Sequence, residues 1–331
     1  MKQNIRSLVL TFIVAFVVLF SSVNVFADQT LSPATNGYKI SPVRTDLIIK
    51  PGASDEINLY IQNASAAVEN LQVVVNDFDA PTNETGYPAL RLNGSSSPEH
   101  SLKQFVTLPV KTLTLKPGQQ QSIAAIIKIP LGSASGGYYG AIRFAPVGAS
   151  GSKNVNISAS VASLVLLTIP GNLSEQLSIA GFGVSQGDDS SLKSLFFSNN
   201  NLKAVVRFQN NGNVQEQPFG KIVLKKGSKV LSTFGVNNST APGNVLPSSI
   251  RRFSVNLNKI GAFGKYKIVG NFGYGSKGQL LSAQSTFYVI PLILIIIAVA
   301  VILLIIFLIF FLPRLIRRYN KRVIERATRQ R

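Results

Sequence analysis

The chain has 331 residues, with 33 Lys/Arg against 14 Asp/Glu, one histidine, no cysteine and no tryptophan. That length has room for more than one core-bearing unit, and without cysteine each unit relies on burial rather than on disulfides. With His100 as the sole histidine, zinc binding and histidine-based acid–base catalysis lack the side chains they need.

The chain opens on an export signal. Lys2 and Arg6 precede an apolar stretch over residues 8–20, and Val25, Phe26 and Ala27 lead into Asp28 as a cleavage site does. Residues 1–27 are read as a signal peptide and set aside from the fold.

The next 260 or so residues read as strand after strand. Ile57, Leu59 and Ile61 alternate with polar residues, and so do Leu71, Val73 and Val75. The same holds for Ile123, Ala125, Ile127 and Ile129, and for Tyr138, Gly140, Ile142 and Phe144. Period-two alternation predicts strands with one face buried and one wet. Lys50-Pro51-Gly52 and Lys116-Pro117-Gly118 are near copies, and Pro followed by Gly pre-sets a type II turn between strands. Residues 80–101 break this pattern with prolines, glycines and serines. A loop of about 20 residues inside a compact domain is unusual and tends to be functional or mobile, so it is the first place to look for a contact surface, on the sandwich left free to reach a partner; a plain solvated excursion is the other reading.

Residues 155–170 are expected to form a long closing strand, with Gly171 and Asn172 marking a boundary. Strands are then predicted at 204–209, 220–224, 230–236, 251–257, 265–272 and 280–289, with turns at Asn211-Gly212, Lys226-Gly227 and Gly275-Ser276. About seven strands per half and turn signals every 8 to 12 residues match an immunoglobulin-like sandwich. Gly264-Lys265-Tyr266 looks like a tyrosine corner, whose phenol bonds back to nearby backbone, with Gly136-Gly137-Tyr138 as its counterpart.

Residues 291–312 then run 22 positions without a charge, enough for one helix across a bilayer core of about 30 Å. Eight Lys/Arg follow against the single acid Glu325, and the positive-inside rule places them in the cytoplasm. On a helical wheel Leu315, Ile316, Tyr319, Val323 and Ala327 share one side. Arg314, Arg317, Arg318, Lys321 and Arg322 fall on the other, as candidate contacts to the inner leaflet; a tail that merely fixes topology is the alternative.

Charge is uneven outside the membrane. Up to Asn172 the mature chain carries ten basic and nine acidic residues, whereas beyond it thirteen basic residues face only Glu175, Asp188, Asp189 and Glu216. Lys221, Lys225, Lys226 and Lys229 surround one predicted hairpin, and Arg251 and Arg252 begin another strand. If these share a face they form a patch for a polyanion or lipid headgroups; protection of an edge strand by lysine is the other reading. Asp77, Asp79 and Glu84, and the adjacent Asp188 and Asp189, offer too few oxygen ligands for calcium. No phosphate-binding loop or dinucleotide fingerprint is present. We expect no catalytic residue, no metal and no cofactor, and nucleic acid is the wrong partner for an exported domain.

Ile40-Ser41-Pro42, the Pro51-Gly52 and Pro117-Gly118 turns with their strands, Ile129-Pro130 and the Gly136–Phe144 strand, Gly264-x-Tyr266 and Phe287-Tyr288-Val289 stand in an order that resembles the WxL-interacting protein family of Gram-positive-type bacteria. The resemblance covers nearly the whole chain. It implies an Ig-like peptidoglycan-binding domain, a second sandwich called the host-binding domain, one membrane helix and a short basic tail.

The expected architecture is an all-β ectodomain of two tandem Ig-like β-sandwiches, residues 28–171 and 172–289, followed by a transmembrane helix at 290–312 and a cytoplasmic tail at 313–331. The expected function is that of a non-catalytic bacterial surface protein, single-pass in the cell membrane. It would present its sandwiches to cell-wall polymer (peptidoglycan or teichoic-acid-like) or to another surface protein, near membrane lipid. A membrane-tethered scaffold or accessory subunit of an envelope complex is the alternative.

Overall fold

A computed structural model describes residues 37–92, 100–147 and 160–317. The expected signal peptide, residues 93–99 of the long loop, the first residues of the expected closing strand, and Arg318, Lys321 and Arg322 of the tail lie outside the described residues.

Among the described residues, ten strands form the first half. They are β1 (Tyr38–Ser41), β2 (Arg44–Ile48), β3 (Ser54–Asn63), β4 (Glu69–Asp79), β5 (Ala89–Leu90), β6 (Val106–Thr107), β7 (Thr112–Leu115), β8 (Gln120–Lys128), β9 (Gly136–Pro146) and β10 (Val161–Ile169). One sheet has the order β1-β3-β8-β6; the other runs β2-β10-β9-β4-β5, with β7 also on β4. The predicted alternation sets the register. Leu59 lies opposite Ile123 and Ile57 opposite Ala125, all turned inward and buried. They meet Leu71, Val73, Ile142 and Phe144 of the facing sheet in one core. Both Pro-Gly turns close as expected: Ala53 N donates to Lys50 O at 3.1 Å and Gln119 N to Lys116 O at 3.0 Å. Gly52 and Gly118 have φ of 86° and 73°, the left-handed geometry that a type II turn requires at that position.

Eight strands form the second half: β11 (Leu177–Gln186), β12 (Leu195–Phe196), β13 (Leu202–Asn210), β14 (Phe219–Lys226), β15 (Lys229–Val236), β16 (Ser249–Asn256), β17 (Gly264–Tyr274) and β18 (Gln279–Val289). A three-stranded sheet β11-β13-β16 faces a five-stranded sheet β12-β18-β17-β14-β15. Aromatic rings fill the space between. Phe208 meets Phe272 edge-on at 5.0 Å and Phe253 at 5.9 Å, while Tyr266 stacks on Phe287 at 5.4 Å.

Both tyrosine corners are present. The Tyr266 hydroxyl accepts from Gly261 N at 2.8 Å, and the Tyr138 hydroxyl donates to Ala134 O at 2.9 Å. Each follows a glycine in nearly the same unusual conformation, Gly264 at φ 150° and Gly136 at φ 147°. Tyr266→Phe is expected to cost about 1 kcal/mol, the net value of one such bond, read as a lower denaturant midpoint. An unchanged midpoint would mean that this phenol adds nothing to the fold.

Two residues after β18 the chain enters α1 (Leu292–Phe310), a helix with no residue buried. Among the described residues it is the one helix long and apolar enough to cross a membrane.

Candidate functional site

The two sandwiches are joined by direct bonds. Glu84, at φ 60°, reaches from the long loop to β13, where its carboxylate accepts from Arg207 Nε at 2.7 Å and also from Arg207 Nη2. Its carbonyl accepts from Arg252 N on β16 at 2.9 Å. The Arg207 bond holds the Glu84 carboxyl below its ordinary value, against the opposing effect of burial. An acidic loop tip has met the basic half of the chain. The 80–92 segment is therefore docked on the second sandwich, and the expectation of a loop left free is corrected on this point.

A second tie runs from β9. Tyr139 is 2% exposed, and its hydroxyl donates to Gln215 Oε1 at 2.9 Å, while Gln215 Nε2 donates to Thr168 Oγ1 at 3.1 Å. Burial pushes the Tyr139 phenol far above its ordinary value. Gly137 N donates to Asn213 O at 2.8 Å. Around these bonds Phe78, Tyr139, Ala141 and Leu166 form a small third core against Leu246. The face of β9 expected to be wet is thus dry, because the second sandwich covers it.

A cleft follows this seam. At one end Arg44, Tyr87, Asn244 and Arg251 stand over a floor of Phe78, Leu164, Leu166 and Leu246. At the other, His100, Tyr139, Pro247 and Ser248 line its continuation, with Phe78, Asp79, Leu246 and Ser249 common to both. Tyr87 is 77% exposed. The Arg251 guanidinium donates through Nη1 to Asn244 O at 2.8 Å and lies 5.1 Å over the Phe253 ring. Its Nε and the neighbouring Asn244 Oδ1 are buried without a hydrogen-bond partner. Burial, followed by the charge of Arg44, lowers the Arg251 pKa. Arg44 is itself paired with Asp46 at 2.8 Å and donates through Nη1 to Pro242 O at 2.9 Å, so an apolar floor, an exposed phenol ring and the Arg251 guanidinium are what suit a ligand that carries both a ring face and an acidic group.

Residues 45–146 match the family model described as WxL Interacting Protein, peptidoglycan binding domain. The resemblance drawn from the turns and strands is thereby supported over that span, which runs from β2 to the last residue of β9. The match contains Phe78, Asp79, Tyr87, His100 and Tyr139 of the cleft lining; Asn244, Leu246 and Arg251, which the second half contributes, lie beyond it. Among solved structures, the chain is similar to the class 5 fimbriae chaperone CfaA, with 14% identity, a TM-score of 0.37 and coverage of 76% of this chain and 99% of that one. It is also similar to the E. coli chaperone DraB, with 12% identity, a TM-score of 0.34 and coverage of 76% and 96%. No curated protein matches the chain.

The basic residues singled out from the sequence separate in space. Lys225 and Lys226 pair with Val230 and Lys229 at the β14–β15 turn, so three of the four lysines gather there; Lys221 lies further along β14, opposite Gly235. Arg251 and Arg252 belong to the seam instead, the first in the cleft and the second against Glu84. Arg314 donates through Nη1 to Phe310 O at 2.6 Å, and Arg314 and Arg317 follow α1 directly.

The carboxylates weighed for calcium each have a structural partner. Asp77 is buried and accepts from Ser101 Oγ at 2.7 Å and Lys103 N at 3.1 Å. Asp79 pairs with Arg91, Glu84 with Arg207, Asp189 with Lys193 at 2.7 Å and Asp188 with Lys203 at 3.6 Å. Among the described residues no cluster of three or more His, Cys, Asp or Glu is placed to hold a metal.

Sequence reasoning missed Arg44, Tyr87 and Tyr139 as seam residues. Gly86-Tyr87-Pro88 carried a faint signal, an aromatic between two turn formers in a polar loop. The close approach explains the glycine: a Cβ on Gly86 would run into the Arg251 guanidinium.

Proposed function

We propose that this chain is a non-catalytic, membrane-anchored cell-surface protein that binds acidic cell-wall polymer, with the seam cleft as the contact. The observation that carries the proposal is the peptidoglycan-binding match over residues 45–146, combined with a cleft that adds Arg251 to the aromatic and apolar residues of the matched span. Cell-wall peptide stems end in carboxylates and sugar rings have apolar faces, which are the two features that this lining would recognise. α1 supports the anchoring. A fully exposed helix of 19 residues, none of them charged, is far more apolar than water tolerates on a protein surface, and it is long enough for a bilayer.

Retention of the detergent-solubilised full chain on isolated cell walls tests the proposal. Wild type is expected to bind and Tyr87→Ala to bind about tenfold more weakly, the loss of one aromatic contact of about 1.4 kcal/mol. Tyr87 is exposed, so the variant leaves the core untouched. Failure of the wild type to bind at low salt would overturn the proposal. Wild-type binding that Tyr87→Ala leaves unchanged would remove the cleft as the contact.

A further inference from the structure

The lower end of the second sandwich, where β18 runs into α1, carries exposed aromatics that neither the cleft nor the core uses. β12 lies parallel to the end of β18, with Leu195 opposite Tyr288 and Phe196 opposite Val289. β17 lies antiparallel on its other side, with Gly264 opposite Val289 and Lys265 opposite Tyr288. Phe197 follows Phe196 and Phe263 precedes Gly264, so both stand level with Ile290, one residue before the helix-opening Pro291. Ile290 N donates to Phe196 O at 2.9 Å, which fixes that level. Neighbouring strands are about 5 Å apart, so the two rings flank the root of α1.

Their surroundings are amphipathic. Phe263 is 59% exposed, Phe197 52% and Tyr288 40%. Lys226 Nζ sits 3.5 Å from Phe263 O and 5.3 Å over the Tyr266 ring, beside Lys229 across the hairpin. Lys265 Nζ sits 5.7 Å over the Tyr288 ring. The carboxylates near this end, Asp188 and Asp189, are already paired with Lys203 and Lys193. Exposed phenylalanines cost free energy in water, whereas aromatic rings backed by lysines are favoured at the boundary between acyl chains and headgroups.

We infer that this end of the second sandwich is a lipid-contact collar, in which Phe197 and Phe263 enter the outer boundary of the bilayer while Lys226, Lys229 and Lys265 meet anionic phospholipid headgroups. The inference rests on the reading of α1 as a membrane span. It divides the molecule between two tasks, with the seam cleft facing the cell wall and the collar holding the second sandwich upright on the membrane.

The absence of tryptophan supplies the test, because any introduced tryptophan is the only one. Full-length Phe263→Trp, Phe197→Trp, Tyr87→Trp and Phe307→Trp are reconstituted in phosphatidylcholine–phosphatidylglycerol vesicles with acyl chains brominated near the headgroup. Tryptophan at 263 or 197 is expected to lose most of its fluorescence, and tryptophan at 87 to keep it. The two collar positions guard against a local folding defect at either one. If both stay as bright as position 87 while position 307 is quenched, the collar is overturned and the membrane span stands. If position 307 is also unquenched, the span fails and the collar with it. Omitting phosphatidylglycerol is expected to weaken quenching at 263; no change would remove the lysines from the contact.

Discussion

Phe208→Ala is expected to destabilise the second sandwich by about 3–5 kcal/mol, the usual cost of deleting a buried ring and leaving its cavity. Phe208 is fully buried on β13, where its ring meets Phe253 of the neighbouring strand and Phe272 of the opposite sheet. Removing it thus takes away contacts within one sheet and between the two. No disulfide offsets the loss, since the chain has no cysteine. A loss of this size is a large fraction of what holds a typical domain folded. Denaturant unfolding of the full chain in detergent measures it. A shift worth less than about 1 kcal/mol would mean that the ring cluster around Phe208 is not the centre of the core.

The second large effect has the opposite sign. Glu216 is 2% exposed, and its Oε1 has no hydrogen-bond partner. Burial, then the nearby Glu175 charge, push its carboxyl up to about 7 against the weaker opposing bond from the Gly275 backbone. A carboxyl that holds its proton more tightly folded than unfolded favours the fold only while it is protonated. Its contribution is therefore unimpaired below the ordinary value near 4.5, falls as the pH rises through about 7, and stays unfavourable above that. Glu216→Gln keeps the shape and removes the charge. It is expected to stabilise the protein at pH 8 by on the order of 2 kcal/mol, and to change it little at pH 4.5. Melting temperatures of the two chains across that range decide the matter: they should diverge as pH rises, and parallel curves would sink the idea.

The strands, turns and corners were legible because their causes are local. Alternation of Ile57, Leu59 and Ile61 needs only a sheet with a dry side, and Pro51-Gly52 needs only the two backbone angles that those residues favour. Tyr266 bonds five residues back, which a short window already contains. The helix root was legible for the same reason, since the apolar run begins where the last strand ends.

The cleft was not legible. Glu84 and Arg207 are 123 residues apart, and Tyr139 and Gln215 are 76 apart; no periodicity links such pairs. Arg251 and Arg252 sit beside each other in the chain and would join the lysines in one basic patch only if the two hairpins shared a face. A strand sends neighbouring side chains to opposite faces, and the docked loop then claimed both: one guanidinium entered the cleft and the other residue's backbone bonded to Glu84. Lys225, Lys226 and Lys229, by contrast, were gathered by a two-residue turn and came together at the β14–β15 end.

By itself, then, the order of residues determined the two-sheet pattern of each half, the Pro-Gly reversals, the paired tyrosine corners and the apolar helix, all consequences of short-range geometry and solvent preference. The tertiary structure alone decided which faces stayed wet. β9 reads as half-exposed, yet Tyr139 and Ala141 are buried because the second sandwich lies against them. Burial is a property of what packs on a strand, and that partner comes from a distant part of the chain.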